Sequence, residues 1–257
     1  MLLAQLTDLH ISAQGSPFDV ENRTAERLAC AVAHLRALKP RPDAVLFTGD
    51  LVNEGSPREY ARLFKLLRPL PMPWYVLPGN HDHREQLRAA LQDRGYLPKR
   101  GPLHYALKLG PLHLIALDTN IPGAPGGRLG EKQLLWLDAR LSKAPRRPTV
   151  VALHHPPFVT GIDAMDGMGL EDPDALAQVI ARHPQVERVL CGHLHRPIIR
   201  RFAGTVVTTC PSTAPHVALD LRPGAPISIV HEPTACQLHL WTGGGLVTHT
   251  SYFEVPR

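Results

Sequence analysis

Five apolar runs in this chain break off into the same kind of text, a cluster of histidine, aspartate or asparagine. Residues 2–7 lead to Asp8-x-His10, 44–48 to Gly49-Asp50, and 74–77 to Gly79-Asn80-His81-Asp82. Further on, 149–154 ends in His154-His155, and 189–191 in Gly192-His193-Leu194-His195. Short apolar runs bounded by turn residues read as buried strands. Helical patterns lie between them: 21–39, closed by Pro40; a helix opened by the capping box Ser56-Pro57-Arg58-Glu59; 83–94; 131–143; and 172–182 behind Asp172-Pro173. Alternation of strand and helix argues for an α/β core. In open α/β sheets, ligands bind beyond the carboxyl ends of the strands, which is where all five clusters fall.

The clusters draw on an unusual reserve, for 15 of the 257 residues are histidine, the commonest metal-ligating side chain. At 44% hydrophobic and 20% charged residues the chain reads as an ordinary globular protein. No apolar run reaches the roughly 18 residues of a membrane span. The first one lacks the basic flank and cleavage pattern of a signal peptide, so a cytoplasmic location is expected. Cys30, Cys191, Cys210 and Cys236 show no C-x-x-C spacing, which argues against thiolate-bound zinc and thioredoxin-like chemistry. A scattered net charge of +5 suits an anionic substrate. With 5% aromatics and no strand of paired exposed aromatics, no stable nucleic-acid partner is expected.

Beyond Pro197 the pattern turns β-rich, with strands near 198–202, 205–209, 216–221, 227–231, 236–241 and 246–253. Residues 121–130 read as a Gly/Pro-rich loop. Residues 160–170, with two methionines and three glycines, read as a lid. Taken singly, each polar cluster is ordinary turn chemistry. Together they offer carboxylate, amide and imidazole without thiolate, a set suited to Zn, Fe, Mn or Co rather than Ca or Mg.

In this order, Asp8-x-His10, Gly49-Asp50, Gly79-Asn80-His81-Asp82, His154-x-Pro156 and Gly192-His193-x-His195 resemble the signature of the calcineurin-like binuclear metallophosphoesterases. The stretches Gly49-Asp50-Leu51-Val52-Asn53, His154-His155-Pro156-Pro157 and Glu171-Asp172-Pro173 are similar to bacterial class III cyclic-nucleotide phosphodiesterases and related glycerophosphodiesterases. The resemblance implies a four-layer αββα sandwich of two mixed β-sheets flanked by helices, with a β-rich C-terminal segment. It implies a single domain over 1–257: about 1–200 carries the metal motifs, and about 201–257 completes the second sheet and makes homo-oligomer contacts.

The resemblance also implies two divalent transition-metal ions per chain. Asp8, His10, Asp50 and His195 would hold one. Asp50 would bridge to the other, which Asn80, His154 and His193 would complete. A hydroxide held on the metals would attack the phosphorus. His81, oriented by Asp82, would protonate the leaving group, the alternative being a purely positioning role. Asn80, His81 and His216 would touch substrate. His155 either joins the site or hydrogen-bonds in the core, and Arg196 either meets a phosphate or stays solvated.

The related protein phosphatases carry Gly-Asp-x-Val-Asp-Arg-Gly and Gly-Asn-His-Glu, where this chain has Asn53-Glu54-Gly55 and Asp82. Their phosphate-gripping arginine is missing. A monoester dianion gains more from that arginine than a diester monoanion does. The expected activity is therefore hydrolysis of small phosphodiesters, 3′,5′-cyclic nucleotides such as cAMP first and glycerophosphodiesters second. A nuclease is a third reading, because sequence does not measure pocket width. A metal-storage or structural protein would show closed shells and no spare acid, against which His81-Asp82 argues.

Overall fold

The computed structural model describes residues 1–255. In chain order it contains β1 (Leu2–Leu6), α1 (Pro17–Asn22), α2 (Thr24–Ala37), β2 (Ala44–Thr48), α3 (Pro57–Leu67), β3 (Trp74–Leu77), α4 (Arg84–Ala90), β4 (Tyr105–Leu109), β5 (Leu112–Ala116) and α5 (Gly130–Ser142). These are followed by β6 (Thr149–Ala152), α6 (Asp163–Asp166), α7 (Pro173–Ala181), β7 (Val186–Cys191), β8 (Ile199–Phe202), β9 (Thr205–Thr209), β10 (His216–Val217), β11 (Ile229–Val230), β12 (Ala235–Trp241) and β13 (Leu246–Tyr252).

Two mixed sheets result. One has five strands in the order β13-β12-β1-β2-β3, the other six in the order β4-β5-β6-β7-β9-β8. In the first sheet β1, β2 and β3 run parallel and β12 and β13 join antiparallel; in the second β5, β6, β7 and β9 run parallel, with β4 and β8 antiparallel at the edges. Central parallel strands are covered on both faces, so β2 and β6 are buried at every residue. Leu3, Leu46 and Leu77 from one sheet meet Leu114, Val150 and Leu190 from the other. Leu28, Leu63 and Leu87 on α2, α3 and α4 cover the outer face of the first sheet, and Leu137, Leu176 and Ile180 on α5 and α7 that of the second. This is the expected αββα sandwich. Each fully buried leucine contributes roughly 1.5–3 kcal/mol.

Three local expectations change. The single helix over 21–39 is two. Ser16 caps α1, Pro17 opens it, and Arg23, at φ 51°, ends it by donating its N–H to Asp19 O. The strands expected at 216–221 and 227–231 shrink to a two-residue ladder between β10 and β11. Leu219 and Leu221 face solvent there and have no sheet to pair with. The C-terminal segment does not simply complete the second sheet. Of its strands β9 joins that sheet, whereas β12 and β13 extend the first one through β1. The reason lies on the inner face of β12, where His239 Nε2 meets Gln5 Oε1 at 3.1 Å and Gln237 donates to Thr209 O at 3.0 Å. Both polar side chains are buried and find partners only in that register. Among the described residues, no helix is long and apolar enough to cross a membrane.

Candidate metal centre

All five polar clusters meet at one end of the sandwich. Asp8, Asp50 and Asn80 follow β1, β2 and β3 of the first sheet, while His154, His193 and His195 follow β6 and β7 of the second. Backbone hydrogen bonds tie the loops pairwise: Asp8 N to Gly49 O, His10 N to Asp50 O, and Gly192 N to His154 O. Glycine is required where the loops touch. A Cβ on Gly79 would lie 2.2 Å from Asp50 Oδ1, and one on Gly192 would lie 2.2 Å from Thr7 Oγ1. Five of the seven expected ligands, Asp8, His10, Asp50, His193 and His195, have φ between 45° and 72°. Such left-handed backbones are uncommon for residues with a Cβ and concentrate at functional sites.

The side chains form two overlapping ligand groups. In one, His195 Nε2 lies 3.4 Å from Asp8 Oδ1 and 3.2 Å from His10 Nε2. In the other, His154 Nε2 lies 3.1 Å from Asn80 Oδ1. Asp50 stands between them, its Oδ2 3.6 Å from His10 Nε2 and 3.4 Å from His154 Nε2. One carboxylate serving two ions is what a binuclear centre needs. His193 packs beside His154, and its backbone N–H donates to the Asp8 carboxylate. His154 Nδ1–H donates to Thr48 O at 2.8 Å and His195 Nδ1–H to Pro215 O at 2.7 Å, which turns both Nε2 lone pairs inward.

The chemistry of this set fits a pair of divalent transition metals. His10 Nδ1 and His193 Nε2 are buried without a hydrogen-bond partner among the described residues. Burial holds His10 at about 3 and His193 well below the usual histidine range, so both rings are neutral and free to ligate. Burial also pushes Asp8 upward. It pushes His154 down too, but the charges of Asp50 and Asp8 outweigh that and raise it to about 9.

Other expected residues take different places. His81 is exposed; its Nδ1–H donates to Asn53 O at 2.8 Å, leaving Nε2 open, and its ring meets His10 edge-on with centroids 4.6 Å apart. Asp82 does not orient it. Its carboxylate faces the interior and accepts from Tyr60 Oη at 2.9 Å, Gly79 N at 2.9 Å and Leu51 N at 3.1 Å. Burial, with Asp50 adding repulsion, pushes Asp82 up to about 7. The Asn53 carbonyl therefore has the role expected of Asp82. His155 hydrogen-bonds in the core, to Thr119 Oγ1 at 2.8 Å and Pro125 O at 3.0 Å. Arg196 pairs with Glu232 at 2.8 Å.

His216 does not line the cavity over the ligands, which is walled there by Pro215 and Val217. Alternate residues of an extended segment face opposite sides, and Val217 takes the inner one. Sequence reasoning missed Asn120, buried after β5. It donates to Gly79 O at 2.5 Å and Asp82 O at 3.0 Å, clamping both ends of the loop that carries Asn80 and His81. Asp118 braces it by accepting from Asn120 N at 3.0 Å and pairing with Arg84. The signal was present, since Asp118-Thr119-Asn120 is another polar cluster beyond a strand.

Residues 1–197 match the family model of the calcineurin-like phosphoesterases. A probable glycerophosphodiester phosphodiesterase of Arcobacter nitrofigilis is 36% identical over all of this chain and 96% of its own length. The 3′,5′-cyclic adenosine monophosphate phosphodiesterase of Pseudomonas aeruginosa is 34% identical, over 83% of this chain and 76% of its own. Among solved structures, a dimetal phosphatase from Danio rerio superposes over 99% of each chain with a TM-score of 0.67 at 15% identity.

Proposed function

The chain belongs to the calcineurin-like phosphoesterase family and is a metal-dependent phosphoric diester hydrolase; on that premise we propose that its substrates are small diesters, cyclic nucleotides first, and that His81 protonates the leaving group. One observation supports the choice of diester: among the described residues, no lysine or arginine lines the cavity above the ligands. A monoester dianion would find no guanidinium there, whereas a diester carries a single charge.

Asp8, His10, Asp50 and His195 would hold one ion, and Asp50, Asn80, His154 and His193 the other. When bound, two such ions supply a nucleophile from water near neutral pH and offset charge on the phosphoryl oxygens. The protein's own contributions are positional. Thr48 O and Pro215 O keep His154 and His195 aimed inward. Asn53 O holds the Nδ1 proton of His81, so when the ring is doubly protonated the proton it can give up would be the one on Nε2, at the cavity that His81 lines. From there it passes to the departing alkoxide oxygen, a role typically contributing 10²–10⁴-fold.

A glycerophosphodiester is the second reading, favoured by the relative so named that matches the whole chain. The experiment is kcat/KM for cAMP, a glycerophosphodiester and an alkyl monophosphate under one metal loading. cAMP is expected to lead. A monoester preferred by tenfold, about 1.4 kcal/mol, defeats the diester reading.

A further inference from the structure

The ligand residues make only the floor of the cavity, whose volume is about 280 Å³. The walls are apolar. Phe18 from α1, Met165 and Met168 from segment 160–170, and Val217, Ile227 and Ile229 from the β10–β11 ribbon all face it. Ile227 and Ile229 are 45% and 56% exposed, apolar surface that a ligand arm would cover. The wall is built rather than incidental. The Asp166 carboxylate accepts from Thr160 N, Thr160 Oγ1 and Gly161 N, each at 2.8 Å, fixing the methionine segment. Ile162, Met165, Leu194 and Val217 pack together beneath it, and Gly224 N donates to Asp163 at 2.9 Å, joining ribbon to segment.

This wall meets one kind of substrate arm well. An ammonium or a second phosphate entering it would lose water and gain no counter-charge, and a polyol would find only Asn22, Asn53 and His81 beyond the ligand residues. A flat uncharged ring would lose little and gain contact with two thioethers, which pack favourably on aromatic rings and adapt to their shape. We infer that the apolar wall formed by Met165, Met168, Val217, Ile227 and Ile229 is a selectivity subsite for an uncharged aromatic arm of the diester. The inference rests on the diesterase reading and deepens it, since a nucleobase is such an arm and glycerol is not.

The test holds the leaving group constant as 4-nitrophenolate and varies the retained arm among phenyl, glyceryl and choline. In the metal-loaded enzyme, kcat/KM is expected to favour phenyl over glyceryl by tenfold or more, with choline last. In Met168→Gln and Ile229→Asn the phenyl-to-glyceryl ratio is expected to fall at least tenfold, while Leu219→Ser, on the ribbon but outside the wall, leaves it in place. A second readout needs no turnover. The chain has four methionines, so methyl NMR during titration with diphenylphosphinate, which cannot be hydrolysed, should move Met165 and Met168 and leave Met1 and Met72 unshifted. Equal kcat/KM for all three arms, or still Met165 and Met168 resonances, overturns the subsite alone. Failure to hydrolyse any diester overturns the diesterase reading with it.

Discussion

Replacing Gly79 by alanine tests the idea that the loops are held at contact distance so that Asp50 stands between two ligand groups. The added Cβ would fall 2.2 Å from Asp50 Oδ1 and 2.4 Å from Asp50 N. Carbon and oxygen ordinarily approach to about 3.3 Å, so something must yield by about 1 Å. Little is free to do so. Asp50 Oδ1 accepts the His81 N–H at 2.9 Å, and Gly79 N is bound to Asp82. Displacing the Asp50 carboxylate by that distance is expected to lower kcat/KM on bis(4-nitrophenyl) phosphate by about 10²-fold, near 2.7 kcal/mol. Forced overpacking costs about 1–3 kcal/mol of stability. Metal analysis should show less than two ions per chain, and urea unfolding in chelator should show the stability loss. Gly244→Ala, where a Cβ meets nothing within 4 Å, is the control. A Gly79→Ala protein with two ions per chain and kcat/KM within threefold of wild type would refute the reasoning.

Removing His81 as alanine should lower kcat by roughly 10²–10⁴-fold on alkyl leaving groups and far less on nitrophenolate; equal losses, read from a leaving-group series, would mean positioning rather than proton transfer. Asn120→Ala removes its bonds to Gly79 O, which keeps the Asp82 N–H, and to the buried Asp82 O; denaturation should show a loss of about 1–3 kcal/mol, and activity should fall as the Asn80–His81 loop loosens. Asp50→Ala should abolish activity and most metal binding, and the melting temperature, raised by added Mn²⁺ in wild type, should no longer respond. The β13 edge of the C-terminal segment is proposed to contact a second copy; light scattering at micromolar concentration should show an oligomer, and a monomer would remove the proposal.

The site was legible because its ligands are histidines and carboxylates placed beyond apolar strands, a combination that a soluble core seldom needs. The roles within it were less so. The resemblance implies that Asp82 orients His81, yet its side chain turns inward to Tyr60, and the carbonyl that orients His81 belongs to a residue whose side chain says nothing of it. Asn120 lacked a histidine beside it to mark its cluster. Phe18, Met165 and Ile229 come from three distant segments, so nothing in local periodicity brings them together. The sandwich followed from alternation, but the tail's division between sheets depends on the pairing of Gln5, His239, Gln237 and Thr209, which only tertiary register reveals.

Five of the residues expected to hold metal have left-handed backbones, which glycine would adopt without strain. Each such position stores on the order of 1 kcal/mol. The scaffold would therefore stand more firmly if these residues were lost. Variants of this chain chosen for heat resistance alone, with no requirement to turn over substrate, should accumulate glycine at positions 8, 10, 50, 193 and 195 before the hydrophobic core changes. Durability and catalysis are opposed here at the level of individual φ angles.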